Sequence, residues 1–195
     1  MTIALITDQH LDGRKNSLVF WDYFLKFYEN VFFPSLEKYK IKTVIDLGDT
    51  FDNRKGIDLG AWYRIKKNYY DILESMGIEV HMIVGNHTAY YKNTNEINTP
   101  ELLLDRYSNI TVYKEVTDIV VDGLKITMLP WINSENQETF FNHLNKTDSK
   151  IVMGHLEISG FQAIPGHFFE GGLSPDIFNK FHTVFSGHFH HKSER

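Results

Sequence analysis

The stretch Thr43-Val44-Ile45-Asp46-Leu47-Gly48-Asp49-Thr50-Phe51-Asp52 is a β-branched, apolar run that stops at a glycine and empties into carboxylates. Such a run reads as a buried strand followed by a tight turn. The pattern recurs along the chain. Ile3-Ala4-Leu5-Ile6 leads into Asp8-Gln9-His10, and further apolar runs lead into Gly85-Asn86-His87, Gly154-His155 and Gly187-His188-Phe189-His190. One histidine after one strand would be unremarkable. Asp8, His10, Asp49, Asn86, His155, His188 and His190, each just past a strand, would converge along one sheet edge, where open α/β sheets bind their ligands. Carboxylate, amide and imidazole converging there imply a metal site.

The 195 residues are 42% hydrophobic, 23% charged and 14% aromatic, the make-up of an ordinary soluble globular protein. That length suits one domain over residues 1–195 with a sizeable core. Without cysteine, disulfides and thiolate metal sites are excluded. The opening Met1-Thr2-Ile3-Ala4-Leu5-Ile6-Thr7-Asp8 turns acidic too soon for a signal peptide, and no apolar run approaches the roughly 18 residues of a membrane span. The expectation is a cytoplasmic protein. A formal net charge of -5 argues against a broad basic surface that holds nucleic acid nonspecifically. It leaves room for a locally positive site, because two dications outweigh Asp8 and Asp49.

Apolar runs alternate with amphipathic stretches, the signature of an α/β domain. Strands are expected at residues 2–7, 42–47, 79–84, 110–113, 116–121, 124–129, 150–153 and 182–186. Val19, Phe20, Tyr23, Phe24, Phe27, Tyr28, Val31 and Phe32 recur at helical spacing within residues 17–39, where Pro34 should interrupt or restart the helix. That aromatic stripe is expected to be mostly core, a partner surface being the minority reading. A second helix is expected over residues 58–76, ended by Gly77, and a third near 134–144. Asp122-Gly123 should close a hairpin through a type I′ turn. Residues 90–99 and 156–173 read as long loops, of the kind that carry substrate contacts.

Asp8-x-His10, Gly48-Asp49-x-x-Asp52, Gly85-Asn86-His87, Gly154-His155 and Gly187-His188-x-His190 resemble, in order and spacing, the motifs of the calcineurin-like metallophosphoesterases. Thr7-Asp8-Gln9-His10-Leu11, the run Asp46 to Lys55, and Val84-Gly85-Asn86-His87 look like the SbcD-type DNA-repair nuclease branch, which includes phage recombination endonuclease subunits. The resemblance implies a four-layer α/β/β/α sandwich and Asp49 as the carboxylate bridging two metal ions. It implies that Asp8, His10 and His190 complete one metal sphere and Asn86, His155 and His188 the other. Two divalent ions roughly 3.5–4 Å apart can generate a nucleophile and stabilise the departing oxygen of a phosphodiester. Sulfur-free N and O ligation makes Mn²⁺ the expected metal, with Fe²⁺, Zn²⁺ or Mg²⁺ as alternatives. The resemblance further implies DNA as substrate, an SbcC-like ATPase as partner, and a homodimer through the early helices. The chain stops five residues after His190, so a fragment or minimal nuclease core is expected, without the C-terminal cap and partner-binding segments usual in that branch.

His87, adjacent to Asn86, cannot easily ligate the same ion, which leaves it free to protonate the leaving oxygen or bind transition-state charge. The bland alternative is a structural histidine beside the site. Where the family often has an acid after this histidine, the chain has Thr88. Asp52 either orients a ligand histidine or caps the following segment. Arg54 either binds a phosphate or is an ordinary exposed arginine. His81, His143, His167, His182 and His191 are expected at the surface or partly packed, with His167 and His191 the nearest to exceptions. A metal-dependent DNA nuclease is the leading reading. A phosphomonoesterase or small-molecule phosphodiesterase on the same fold is the alternative, and a silent binding module is a third.

Overall fold

The computed structural model describes residues 2–192. Two four-stranded sheets form its centre. The first is all parallel, in the order β1 (Ala4–Ile6), β2 (Thr43–Asp46), β3 (Glu79–Ile83), β4 (Ile110–Tyr113). The second runs β10 (Thr183–Gly187), β7 (Ile151–His155), β6 (Leu124–Leu129), β5 (Thr117–Val121), with only the β5–β6 pair antiparallel. That pair is the expected hairpin: Asp122 and Gly123 have φ of 48° and 80°, the double left-handed geometry of a type I′ turn.

Alternation along the strands builds the layers. On β2 and β3, Val44, Val80 and Met82 face the long helices, where Tyr28, Phe32, Tyr69, Tyr70 and Leu73 cover them. Ile45 and Ile83 face the other way and meet Val121, Ile126, Met128 and Met153 of the second sheet. Beyond that sheet, Leu129 and Val152 pack on Phe140 and Leu144 of the helix Gln137–Lys146. Helices, sheet, sheet and helix stack in the four layers the sequence implied. Each fully buried aliphatic side chain in these layers contributes about 1.5–3 kcal/mol.

The first long helix spans residues 18–38 without a break. Pro34 is absorbed by a π turn, Tyr28–Phe32, in which the Phe33 N–H reaches back five residues to the Tyr28 carbonyl. A new α segment then begins with Pro34 in its first turn, where a missing N–H costs nothing. The aromatic stripe splits into two faces. Trp21, Tyr28 and Phe32 are buried with Phe24 half-buried, whereas Val19, Tyr23, Phe27 and Val31 are exposed, Val19 to 82% and Tyr23 to 74%. The second long helix spans residues 59–75 and contains its own π turn, Lys66–Tyr70. Asp58 caps its start by accepting from the Ala61 N–H, and Gly77 follows its end with φ 63°.

The expected loops hold more structure than their composition suggested. A helix, Thr99–Leu104, starts on Asn98, whose side chain accepts from the Glu101 N–H and donates to the Glu101 carboxylate. Within residues 156–173, β8 (Gln162–Ile164) and β9 (His167–Phe168) form a small hairpin, and a 3-10 turn, Pro175–Phe178, follows. No helix among the described residues is long and apolar enough to cross a membrane.

Candidate metal centre

The candidate ligands sit where the strands deliver them. Asp8 and His10 follow β1, Asp49 follows β2, Asn86 follows β3, His155 ends β7, and His188 and His190 follow β10. Both sheets therefore aim the C-terminal ends of their parallel strands at one place. Hydrogen bonds between backbones lock the first two turns together: Asp8 N–H to Gly48 O at 2.9 Å, and His10 N–H to Asp49 O at 3.0 Å.

Three groups of donor atoms result among the described residues: Asp8 with His10 and His190, Asp49 with His155 and His188, and His10 with Asp52 and His87. In the first, His10 Nε2 lies 3.2 Å from His190 Nε2, and His190 Nε2 lies 3.4 Å from Asp8 Oδ1. In the second, His155 Nε2 lies 3.1 Å from Asp49 Oδ2, and both His155 Nε2 and His188 Nδ1 lie 2.9 Å from Asn86 Oδ1. The Asp49 carboxylate belongs to the second group and also acts electrostatically on His10 in the first. Imidazole nitrogens crowded on each other and on carboxylate or amide oxygens are a donor set that fits divalent ions.

Behind these atoms further contacts meet three of the imidazoles, those of His155, His10 and His188. His155 is fully buried and its Nδ1–H donates to the Leu47 carbonyl at 2.8 Å, which turns Nε2 inward. His10 Nδ1 lies 3.0 Å from Asp52 Oδ1, leaving Nε2 for the site. His188 Nε2 lies 3.4 Å from Glu157 Oε1. Such partners set the tautomer and orientation of a ligand histidine. The Asp8 carboxylate accepts from Thr7 Oγ1 and from the His188 N–H at 3.0 Å.

The electrostatics follow from burial and proximity. Burial pushes the Asp49 carboxyl up, but the His155 imidazole and the His87 N–H outweigh it and hold Asp49 below the usual range. Burial likewise lowers His155, yet Asp49 wins and His155 is raised. His188 falls to about 4, through burial and then the charge on His155. Burial lowers His10 as well. Asp46, on β2, is pushed up to about 7 by burial although Thr50, Gly48 and Gln9 all donate to it.

The backbone is strained where the side chains converge. Asp8, His10, Asp49 and His188 have φ of 51°, 45°, 53° and 88°, a region that costs a residue with a Cβ on the order of 1–2 kcal/mol. Two glycines are fixed by close approach. A Cβ on Gly85 would strike the Asp49 carboxylate, and one on Gly187 would strike Thr7 Oγ1 and come within 2.8 Å of Asp8 Oδ2.

His87 stands at the rim, half-exposed, with its ring 5.0 Å from that of His10. Its N–H donates to Asp49 Oδ1 at 2.8 Å, and its Nδ1–H donates to the Asp52 carbonyl at 2.8 Å. Asp52 thus touches both histidines, His10 by its carboxylate and His87 by its backbone. Thr88 buttresses the turn from behind, its hydroxyl accepting from the Gly85 N–H and donating to the Gly85 carbonyl. Arg54 donates to the Ala89 carbonyl at 3.2 Å and lies over the Trp131 ring at 5.1 Å. His81 pairs with Tyr113 and His143 with Asp118, while His167 and His182 are exposed; among the described residues neither these nor His191 joins a donor group.

The sequence reading missed Gln9, Asp46, Thr50, Glu157 and Trp131. Asp46 carried a signal, since an acid inside the apolar run 43–47 has to be met by donors. Glu157 and Trp131 carried none, because their contacts are made across the fold.

A model of the calcineurin-like phosphoesterase family matches residues 1–192. The chain is 36% identical over 162 residues to exonuclease subunit 1 of Enterobacteria phage T4, covering 81% of this chain and 46% of that protein. It thus spans about half the length of the curated relative it matches. Among solved structures it resembles a novel archaeal phosphodiesterase, at 14% identity and TM-score 0.43, with 86% of this chain and 81% of that one covered. A protein of unknown function from Aquifex aeolicus is similar at 18% identity and TM-score 0.45, with 80% of each chain covered.

Proposed function

Because this chain belongs to the calcineurin-like phosphoesterase family, we propose that its metal-dependent phosphoesterase site is a DNA nuclease of the SbcD type, working through two divalent ions, Mn²⁺ foremost. The observation that carries this reading is the convergence of the donor groups Asp8, His10, His190 and Asp49, His155, His188 at the strand ends, with Asp49 acting electrostatically on both. Asp8, His10 and His190 would hold one ion, Asn86, His155 and His188 the other, with Asp49 shared. Bound there, the ions supply charge neutralisation at the phosphate and a nucleophile at neutral pH. The protein's own groups do the rest. His87, its Nδ1–H tied to the Asp52 carbonyl, presents Nε2 at the rim, where it can give a proton to the leaving oxygen. Asp52 and Glu157 keep His10 and His188 aimed inward. Arg54, held between the Ala89 carbonyl and the Trp131 ring, offers a cation to a neighbouring phosphate.

DNA is the substrate we favour because the relative with 36% identity is an exonuclease subunit and because Arg54, within electrostatic reach of Asp49, is joined by Lys55 and Arg14, exposed cations close to the site residues in sequence, on a chain of net charge -5. That surface is small, so unaided binding is expected to be weak and salt-sensitive. Help would come from an SbcC-like ATPase subunit and from a second copy docked on the exposed stripe Val19, Tyr23, Phe27 and Val31 with Leu59 and Tyr63. Tyr23→Glu should then shift a dimer to monomer in sedimentation velocity; an unchanged profile removes that partner. We read residues 1–195 as one nuclease core.

The deciding assay sets single- and double-stranded DNA beside a phosphomonoester and a small phosphodiester, at matched concentration, in Mn²⁺ and low salt. Slow DNA cleavage that fades as salt rises is the expected result. Rapid turnover of a small substrate with no DNA cleavage would move the chain to a phosphomonoesterase or small-molecule phosphodiesterase.

A further inference from the structure

Gln9 stands between two candidate ligands, Asp8 and His10, yet its side chain turns away from the site and is buried. Its Nε2 donates to Asp46 Oδ2 at 2.9 Å, and its Oε1 accepts from the Tyr28 hydroxyl at 2.7 Å. The same Asp46 Oδ2 accepts from Thr50 Oγ1 at 2.7 Å, and Oδ1 accepts from the Gly48 N–H at 3.0 Å. Asp46 is 1% exposed, on the face of β2 where Val44 packs in the core, and its hydrogen-bond partners are all neutral. Burying a carboxylate without a cation is costly, and an apolar side chain there would suit the core better. What the carboxylate does accomplish is mechanical. It joins the turn carrying Asp8 and His10 to the turn carrying Asp49, and through Gln9 it joins both to Tyr28, the first residue of the π turn in the long helix. π turns are frequent at functional sites.

We propose that Tyr28, Gln9, Asp46 and Thr50 form a positioning brace that holds the Asp8–His10 and Asp49 turns in register and thereby sets the affinity of the divalent-ion site. This rests on the metal-dependent reading above. Three donors, the Gln9 amide, the Thr50 hydroxyl and the Gly48 N–H, converge on the two oxygens of Asp46. Asparagine at position 46 points an amide N–H₂ at the N–H₂ of Gln9 unless the Gln9 amide turns over, and that turn aims the Gln9 N–H₂ at the Tyr28 hydroxyl and leaves the Tyr28 O–H without its acceptor. Exchanging both groups mends this. In Gln9→Glu with Asp46→Asn, the new carboxylate at position 9 accepts from the amide at position 46 and from the Tyr28 hydroxyl. The amide oxygen at position 46 keeps the Gly48 N–H, and Thr50 Oγ1 turns acceptor. Total charge is unchanged.

The test is calorimetric titration of Mn²⁺ into wild type, Asp46→Asn, Tyr28→Phe and the exchanged double variant, with thermal melts of each metal-free protein. Asp46→Asn should weaken Mn²⁺ binding by about 10–100-fold, the range for removing a partner that orients metal ligands. Tyr28→Phe, which keeps the ring, should weaken it about 2–10-fold, the worth of one neutral hydrogen bond. The double variant should recover most of the loss. If Asp46→Asn does not fold, the double variant carries the comparison, since the restored polarity must return both fold and affinity. A folded Asp46→Asn with wild-type Mn²⁺ affinity overturns the proposal, because a merely structural role would lower the melting temperature alone. So does a double variant that fails to fold or binds no better than the single. A wild-type chain that takes up no Mn²⁺ would instead defeat the functional reading beneath it.

Discussion

Asp49→Asn should reduce phosphodiester hydrolysis to background while the chain still folds. Asp49 Oδ1 accepts the His87 N–H at 2.8 Å and Oδ2 meets His155 Nε2 at 3.1 Å, both in a buried site. Asparagine can reproduce this pair of contacts. Its oxygen takes the His87 N–H, and its amide donates to His155 Nε2, which becomes a neutral acceptor once the Asp49 charge that raised it is gone. The fold therefore loses little, whereas removing one partner of a buried ion pair outright would cost about 3–5 kcal/mol. What disappears is the negative charge that acts on both donor groups, and a neutral amide cannot neutralise two cations. Metal content by atomic emission should fall below two ions per chain. Asp8→Asn combined with His10→Ala should reach the same end by emptying one group. Near-normal turnover in an Asp49→Asn protein carrying its full metal complement would sink the assignment.

Residues 43–52 and their counterparts were legible because a strand that ends at a site announces itself twice, by an apolar run and by the polar residues that follow. Strand ends were less so. β1 covers residues 4–6 of the 2–7 expected, since an edge strand paired only to β2 has fewer hydrogen bonds to extend it. β7 runs on to His155, past the expected end at 153, because Gly154 and His155 still pair with Ser186 and Gly187. The helix Thr99–Leu104 had its signal in Asn98-Thr99-Pro100-Glu101, a cap with proline in the first turn. Pro165-Gly166, with Gly166 at φ 81°, likewise marked the turn of the small hairpin. The two faces of the first long helix could not be separated by composition. Val19, Tyr23, Phe27 and Val31 are as apolar as the residues one position on, and only packing decides which row turns to solvent. The seven candidate ligands were readable because each lies next to a strand end. Of their orienting contacts, Asp52 was readable from its place after Asp49, whereas the Leu47 carbonyl and Glu157 were not, because they act between distant segments.

His87→Ala separates chemistry from metal binding, and it is expected to lower turnover by roughly 10²–10⁴, the range for a positioned acid or base. Among the described residues the ring of His87 is tied through Nδ1, to the Asp52 carbonyl, and its ring centre stands 5.0 Å from that of His10 at the rim. Its backbone N–H, which supports Asp49, survives the substitution. The first two donor groups are built without its side chain. Two ions should therefore remain bound, with affinity close to wild type, while the rate at saturating substrate falls. A substrate with a good leaving group, such as a nitrophenyl phosphodiester, should lose less than DNA, because its departing oxygen needs no proton. That contrast distinguishes proton donation from charge stabilisation, which would slow both substrates alike. Among the described residues, His10, Asp52 and His87 also form a third grouping within ligand reach. If His87 serves an ion there, His87→Ala will lose metal and regain rate when Mn²⁺ is raised, and the acid role fails.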